Sequence, residues 1–173
     1  PPPPPVGAPS CSVNPSSVAI GETAGLSASG GNNTYTWSAP GGNLGSGSGS
    51  GSSVSYNTSG LKTVTVTSAG LSGNCSVDVI AGPNIFLDAN PSSGMSPLNS
   101  SVLTWGPVSG SGPIASCSGS GTGFSTGGAS SGADTVGPFT TGTYTYSVTC
   151  LSTMSYYAPV SVPVSITVSS LPP

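Results

Sequence analysis

The sequence predicts an all-β chain made of two tandem β-sandwich domains with one disulfide in each. Apolar residues alternate with Ser and Thr in several short runs, which is typical of strands that are buried on one face. Segments rich in Gly, Pro, Asn and Ser separate these runs at regular intervals, as in sandwich folds. The motif Asn-Pro-Ser recurs at 14–16 and 90–92, and this domain-sized repeat divides the chain into two modules.

The first module is expected over 10–82. Its clearest strand lies at 62–67, where Val64 and Val66 should face the core. The Gly/Ser tract over 41–53 has no periodicity and is predicted to be a loop. Further strands, the first of them interrupted by Asn-Pro, are predicted over 11–14, 17–20, 22–29, 34–38, 54–56 and 74–80.

The second module is expected over 83–170. Its strongest strand signal lies at 142–150, and one face of that strand carries Tyr144, Tyr146, Val148 and Cys150. A second Gly/Ser tract, over 119–132, is predicted to be a loop. The other strands of this module are predicted over 85–89, 102–105, 114–118 and 160–168.

Proline-rich segments flank the two modules. Residues 1–9 begin with five consecutive prolines, which favour an extended polyproline II rod, and 171–173 resume a linker. The leader is interpreted as an interdomain spacer, with an arm that packs against a neighbouring molecule as the alternative. Because the chain opens on proline instead of Met, we expect it to be a processed or excised piece of a longer precursor.

The four cysteines predict two disulfides and an oxidising compartment. Three connectivities are open to four cysteines. We favour Cys11–Cys75, joining the first and last strands of its module, and Cys117–Cys150, joining two interior strands, because each pair then lies within one module. A metal site is not expected, since the sequence has no CxxC motif and no His.

Charge is almost absent from the sequence. Charged residues make up 3% of the chain, against about 25% in an ordinary soluble domain. One Lys cannot neutralise a nucleic-acid backbone or hold an anionic membrane surface. No apolar run approaches the roughly 20 residues that span a bilayer, so membrane insertion is not expected. The charged residues are Glu22, Lys62, Asp78, Asp88 and Asp134.

The residue types that catalysis requires are missing from the sequence. A nucleophilic Ser or Cys needs a neighbouring base, but the chain has no His, and Lys62 is predicted to face solvent from its strand. Four acids scattered over two modules do not predict a catalytic carboxylate pair. The sequence therefore predicts that the chain is not an enzyme and carries no cofactor.

Two stretches of the first module resemble the PKD family of immunoglobulin-like domains. Residues 35–42, Tyr-Thr-Trp-Ser-Ala-Pro-Gly-Gly, match its Tyr-x-Trp strand and Gly-rich turn, although the acidic residues usual after the Trp are replaced by Ser-Ala-Pro. Residues 56–67 match its Tyr-x-x-x-Gly-x-x-x-Val-x-Val ending. The second module is similar to Ser/Thr-rich immunoglobulin-like repeats of large bacterial surface proteins, through 103–105, 116–118 and 144–150.

These resemblances imply an architecture and an environment. The fold they imply is two tandem immunoglobulin-like β-sandwich domains, and the setting is outside the cell or at its surface. Members of such families serve as spacers, adhesion stalks, and surface-layer or filament components, and the resemblance implies no catalysis. Trp37 and Trp105 are expected in the two cores, and Tyr35 is expected either to join Trp37 there or to remain outside.

Candidate modification sites come from the glycosylation pattern Asn-x-Ser/Thr. Four positions match it, and such matches arise often by chance in a chain so rich in Ser and Thr. Ser/Thr-rich loops are also candidates for O-linked sugars. We expect Asn74, which adjoins a disulfide, to be the least accessible of the four. The matching residues are Asn32, Asn57, Asn74 and Asn99.

The strongest binding candidate in the sequence is Tyr156-Tyr157. Adjacent strand residues point to opposite faces, so one of the two rings should be exposed and could stack on a sugar. The alternative, which the sequence favours, is one core residue and one interface residue.

Two hypotheses of function follow from the sequence. The first is an extracellular structural protein, the repeating unit or subunit of a cell-surface filament, stalk or sheath that associates with copies of itself. The second is an adhesin module that recognises a glycan or a protein through its loops or through Tyr156-Tyr157.

Overall fold

The computed structural model describes residues 5–45 and 49–172. The chain divides into two compact units, Pro1–Ala81 and Gly82–Pro173. The regular secondary structure within the described ranges consists of strands, which confirms the predicted all-β fold class. No helix of these ranges has the length and apolar character needed to cross a membrane.

Unit 1 contains eight strands in two four-stranded sheets. Sheet A has the strand order β1-β3-β6-β5, and sheet B has the order β2-β8-β7-β4. The pairs are antiparallel except for β2 and β8, which run parallel. The strands are β1 (Ser10–Asn14), β2 (Ser17–Ala19), β3 (Thr23–Ser29), β4 (Thr36–Ser38), β5 (Gly42–Leu44), β6 (Gly51–Tyr56), β7 (Gly60–Ser68) and β8 (Leu71–Ile80).

The core of unit 1 lies between its two sheets. Strand β7 contributes Val64 and Val66, which are fully buried as the alternation predicted. Trp37 of β4 packs against the core but is only half-buried. The prediction that it lies in the core is therefore confirmed only in part. The other core side chains from the two sheets include Val18, Ala24, Leu26, Val54, Tyr56, Val77 and Val79.

Unit 2 contains seven strands in a three-stranded and a four-stranded sheet. Sheet C has the order β13-β11-β9, and sheet D has the order β10-β15-β14-β12. Its core includes Trp105, Phe124 and Tyr146, whose rings meet edge to face. The strands are β9 (Ile85–Asn90), β10 (Ser93–Met95), β11 (Ser101–Pro107), β12 (Ile114–Ser120), β13 (Gly132–Val136), β14 (Gly142–Ser152) and β15 (Val160–Ser169).

The repeated Asn-Pro-Ser motif has the same structural role in both units. In unit 1 the chain leaves sheet A after β1 and pairs in parallel with β8 of sheet B three residues later. In unit 2 it leaves sheet C after β9 and pairs in parallel with β15 of sheet D. Proline supplies no N–H for a ladder, so the motif ends one pairing and allows the next to begin in the opposite sheet. Both Asn-Pro peptide bonds are cis.

The two predicted Gly/Ser loops are shorter than expected. Strand β5 and the start of β6 lie within 41–53, and residues 46–48 of that tract are outside the described residues. In unit 2 the loop covers 121–131, because β12 extends to Ser120 and β13 begins at Gly132. Strand β5 pairs with β6, and β13 pairs with β11 from Gly132 onward, although few apolar side chains mark these two strands.

Each unit has one disulfide, as predicted. Cys11 of β1 bonds Cys75 of β8 and joins the first strand of unit 1 to its last, across the two sheets. Cys117 and Cys150 occupy directly opposed positions on β12 and β14 of sheet D. These two strands are interior in the order of the chain, as predicted, since β9 and β15 are the first and last strands of unit 2, although β12 lies at the edge of sheet D.

The described parts of the flanking segments have no regular secondary structure. Residues 1–4 of the predicted leader and residue 173 of the predicted C-terminal linker lie outside the described residues. Pro9 is buried, and its carbonyl group lies against Gly73 of β8. The end of the leader is therefore part of the folded unit.

Candidate interaction surfaces

The outward faces of the sheets carry hydroxyl groups where most proteins carry charges. On sheet A, the Ser10 and Ser29 hydroxyl oxygens lie 2.6 Å apart, and those of Ser12 and Ser27 lie 2.7 Å apart. Both pairs join neighbouring strands at opposed positions. Such cross-strand pairs stabilise a sheet by roughly 0.2–1 kcal/mol each. We call this array, together with its counterparts on sheets B and D, the Ser/Thr faces.

Sheet B continues the pattern in unit 1. Thr65 donates a hydrogen bond to the Asn74 side-chain oxygen at 2.9 Å, and the hydroxyls of Thr67 and Ser72 lie 3.2 Å apart. These residues alternate along β7 and β8 with the buried valines, which places them on the solvent side. The strand pattern that builds the core therefore builds the polar face as well.

Sheet D carries the Ser/Thr face of unit 2. Thr149 donates to the Ser161 hydroxyl at 3.0 Å, and the hydroxyls of Thr145 and Ser165 lie 3.4 Å apart. Each hydroxyl retains further capacity to donate or accept, because it has one proton and two lone pairs. The faces are thus neutral surfaces with fixed hydrogen-bonding groups.

A groove of about 460 Å³ lies beside the disulfide of unit 2. One wall is formed by Ser116 and Ser118 of β12 together with Thr149 and Leu151 of β14, and the other by the loop over 125–128. Uncharged hydroxyls, glycine backbone and one leucine line it, so it offers hydrogen bonds and a small apolar contact but no electrostatic attraction. No pattern in the sequence predicted this groove, because the groove depends on how the loop folds back toward β12.

Tyr156 and Tyr157 lie in the loop between β14 and β15, so the prediction that they are strand residues on opposite faces is wrong. Their rings meet edge to face with centroids 5.7 Å apart. Tyr156 is 55% exposed, whereas Tyr157 is half-buried and packs against Gly82. The loop therefore presents one ring to solvent with a second ring supporting it.

Lys62 does not face solvent freely, contrary to the prediction. It shares the inward side of β7 with Val64, at the end of the core, and is half-buried. Its ammonium nitrogen lies 5.8 Å from the centre of the Tyr56 ring and donates to the Thr58 hydroxyl at 2.9 Å. A cation over an aromatic face is attracted by the ring quadrupole. The Lys62 ammonium group is therefore held by a cation–π interaction and a hydrogen bond.

Burial also perturbs the tyrosines of the two cores. Desolvation raises the pKa of Tyr56, and desolvation together with the neighbouring Tyr144 raises the pKa of Tyr146. The Tyr56 hydroxyl is buried and has no hydrogen-bond partner among the described residues. Both rings belong to the cores of their units, so the raised pKa values are a consequence of their packing.

The remaining ionisable groups lie apart from one another. No three His, Cys, Asp or Glu side chains come together as metal ligands anywhere in 5–45 or 49–172. Glu22 accepts a hydrogen bond from the Ala19 backbone N–H, and Asp134 accepts two, from Ser125 and Thr135. These acids thus organise turns and loop ends.

The four asparagines of the glycosylation pattern are all exposed. Asn74 is exposed although it lies within strand β8, and the expectation that it is the least accessible of the four stays a prediction. The four sites share an exposed asparagine but differ in the hydrogen bonds of their sequon side chains.

Comparison with known proteins identifies the fold. No family model and no curated protein matches the sequence. Among solved structures, the D00–D0 domain of intimin superposes with a TM-score of 0.52 at 13% identity, covering 92% of this chain and 99% of that one. An I-band fragment of titin, I67–I69, superposes with a TM-score of 0.52 at 13% identity, covering 95% of this chain and 66% of that one.

The chain is a tandem pair of immunoglobulin-like β-sandwich domains. This confirms the fold class predicted from the sequence. The narrower resemblance of the first domain to the PKD family stays a prediction. At such low identity the similarity establishes the fold alone, and the function has to be argued from the surfaces of the chain itself.

Proposed function

We propose that this chain is a non-catalytic structural module of an extracellular assembly, a subunit or repeating unit of a cell-surface filament, stalk or sheath. The observation that carries the proposal is the set of Ser/Thr faces, which replaces a charged surface with paired hydroxyls on both units. Like-charge repulsion between copies is minimal, because the formal net charge is −3 over 173 residues.

The disulfides support an extracellular setting for this function. One bond closes each unit, and such bonds form and persist in oxidising compartments. Cross-links at sequence separations of 64 and 33 stabilise each unit by up to about 4 kcal/mol in the chain-entropy model. Small domains that must endure outside the cell gain most from such bonds.

The chemistry of the side chains supports a non-catalytic role. The sequence has no His, and Lys62 is held between Tyr56 and Thr58. The acids with side-chain hydrogen bonds use them to hold backbone N–H groups. These residues offer no base–nucleophile pair of the kind that acyl or phosphoryl transfer requires.

Self-association through the Ser/Thr faces makes a sharp experimental prediction. Sedimentation of the purified protein at rising concentration should show association that is insensitive to salt, because charge screening has little to act on. The variants Thr65→Lys and Thr145→Lys place a charge in the two faces and should reduce association. Thr145→Ser keeps the hydroxyl, and Ser155→Lys adds the same charge in an exposed loop, so both should associate like the wild type.

Electron microscopy of native material tests the assembly directly. Filaments, stalks or sheets built from this chain are expected. Monodisperse monomers at high concentration, together with no effect of Thr65→Lys or Thr145→Lys, would overturn the proposal.

An adhesin is the second candidate function, and the exposed Tyr156 ring favours it. Its 55% exposure and its support by Tyr157 suit stacking on a sugar ring. A glycan array probed with wild type and Tyr156→Ala tests this role. Binding that is lost in the variant would support it, and an array with no binding would reject the glycan form.

A further inference from the structure

We propose that Asn57 is the N-glycan acceptor of this chain. Its sequon is Asn57-Thr58-Ser59, in the three-residue turn that links β6 of sheet A to β7 of sheet B. All four sites match the sequon pattern and their asparagines are all exposed, but they differ in what holds their side chains. Asn57 is the one whose amide and whose third-position hydroxyl are both unengaged within the described residues.

Asn32 and Asn74 are tied into the fold through their amide groups. The Asn32 side-chain oxygen accepts hydrogen bonds from the buried Ser68 hydroxyl at 2.7 Å and from the Thr34 N–H at 3.1 Å. The Asn74 side-chain oxygen accepts from Thr65 at 2.9 Å, and Asn74 itself pairs with β7 inside a continuous strand. A transferase would have to break these contacts to draw either amide into its active site.

Asn99 is disfavoured by the third residue of its sequon. Ser101 begins strand β11, is 1% exposed, and donates its hydroxyl to the Pro91 carbonyl at 2.8 Å. The sequon requires a hydroxyl at this position, so an enzyme that reads it needs access to that group. The Ser101 hydroxyl is buried beneath the Asn-Pro-Ser turn. In this sequon the asparagine is accessible, but the hydroxyl that the enzyme must read is not.

The turn at Asn57 presents the whole motif. Asn57, Thr58 and Ser59 are exposed. The Thr58 hydroxyl receives the hydrogen bond from Lys62, which steadies the turn through its middle residue and leaves the flanking two accessible. Gly60 follows at φ 104°, and no heavy atom lies within 4 Å of the place where its Cβ would stand. The turn is therefore exposed from Asn57 to Ser59 and open at Gly60.

The modification is a group transfer from a polyprenyl phosphate- or diphosphate-linked oligosaccharide. The Asn57 Nδ2 forms a C–N bond to the anomeric carbon of the first sugar and loses one proton to a base of the transferase. The bond from that carbon to the phosphate oxygen breaks, and the lipid phosphate leaves with the electron pair. The attached glycan would supply the hydration that charge gives to other extracellular surfaces.

The test uses the single Lys as a cleavage point. Protein isolated from its own source is reduced and cut with trypsin after Lys62, so that Asn32 and Asn57 fall in residues 1–62 and Asn74 and Asn99 in 63–173. We expect a discrete glycan mass on 1–62, which fragmentation places on Asn57.

Matched variants expressed in the same source separate N-linked from O-linked sugar. Asn57→Gln and Ser59→Ala should each remove that mass completely, whereas Ser59→Thr should keep it. An unmodified fragment 1–62, a glycan located on one of the other three asparagines, or a mass that survives Asn57→Gln would overturn the proposal.

Discussion

Replacing Tyr56 by Phe should stabilise unit 1, although the change removes a polar group from a well-packed core. Tyr56 is 1% exposed, and its hydroxyl has no partner within the described residues. A buried polar group without a hydrogen bond costs about 1–3 kcal/mol of stability, because its bonds to water are lost and not replaced. Phe keeps the ring that packs against Gly42, and it removes the free-energy cost of burying the unpaired hydroxyl.

The net gain follows from two opposing quantities. Deleting the oxygen leaves a void of about 15 Å³, roughly one water probe. At about 24 cal/mol per Å³, that void costs about 0.4 kcal/mol. The expected increase in the free energy of unfolding is therefore about 0.6–2.6 kcal/mol. For a domain of this size, each kcal/mol added to the free energy of unfolding raises Tm by about 4–8 °C.

Alkaline pH provides a second measurement on the same residue. Burial raises the pKa of folded Tyr56 above its ordinary value near 10. The unfolded chain then releases the phenol proton first, so ionisation of Tyr56 leaves the stability of unit 1 unchanged below about pH 10 and lowers it as the pH rises from there through the folded pKa. Tyr56→Phe should lose less stability in this window, by up to about 1.4 kcal/mol per pH unit.

Hydrogen exchange resolved by peptide measures both effects in the intact chain. Strands β7 and β8 report unit 1, and β14 reports unit 2 as an internal control. Tyr35→Phe is the matched variant, because its hydroxyl donates to the Gly30 carbonyl at 2.6 Å and its removal should cost about 0.5–1.5 kcal/mol. If Tyr56→Phe destabilises unit 1 as Tyr35→Phe does, the Tyr56 hydroxyl is satisfied and the reasoning is wrong.

Two further predictions concern packing and cross-linking. Gly73→Ala should destabilise unit 1 by about 1–3 kcal/mol, because the new methyl group would overlap the Pro9 carbonyl. Gly7→Ala, which meets no atom within 4 Å, should change the urea midpoint little, and equal effects of the two would contradict the contact. Replacing both cysteines of the Cys117–Cys150 disulfide by Ala should lower the stability of unit 2 by up to about 4 kcal/mol. An unchanged thermal transition would refute that estimate.

The sequence predicted strands well where apolar residues mark one face. The alternation at Val64 and Val66, and again at Tyr146 and Val148, located β7 and β14 because burial of one face requires that period. It failed at β5 and β13, which consist mainly of Gly, Asn, Ala, Asp and Thr. Those strands form because a neighbouring strand offers unpaired backbone groups. The sequence of the segment itself does not show which strand will be its neighbour.

The surfaces were harder to predict than the strands. The sequence placed Tyr156 and Tyr157 in a strand, whereas the β14–β15 hairpin turns there and exposes one ring. Lys62 was expected in solvent because charged residues are rarely inward, but its position at the end of the core lets the stem pack while the ammonium reaches Thr58. The error at the two tyrosines arises from a turn position that a periodic pattern does not encode. The error at Lys62 does not, because the alternation that places Val64 inward also places Lys62 on that side of β7.

The Ser/Thr faces connect the composition to the proposed function. A charged surface keeps proteins apart and soluble, whereas these sheets pair their hydroxyls across strands and leave a neutral array. Such an array binds no charged partner tightly, yet it can lie against another neutral array and exchange hydrogen bonds with it at little cost in desolvated charge. A sugar at Asn57 would keep the turn between β6 and β7 hydrated while the Ser/Thr faces remain available for contact. The proposed self-association predicts association that is insensitive to salt, the proposed modification predicts a glycan confined to that turn, and each can be measured without the other.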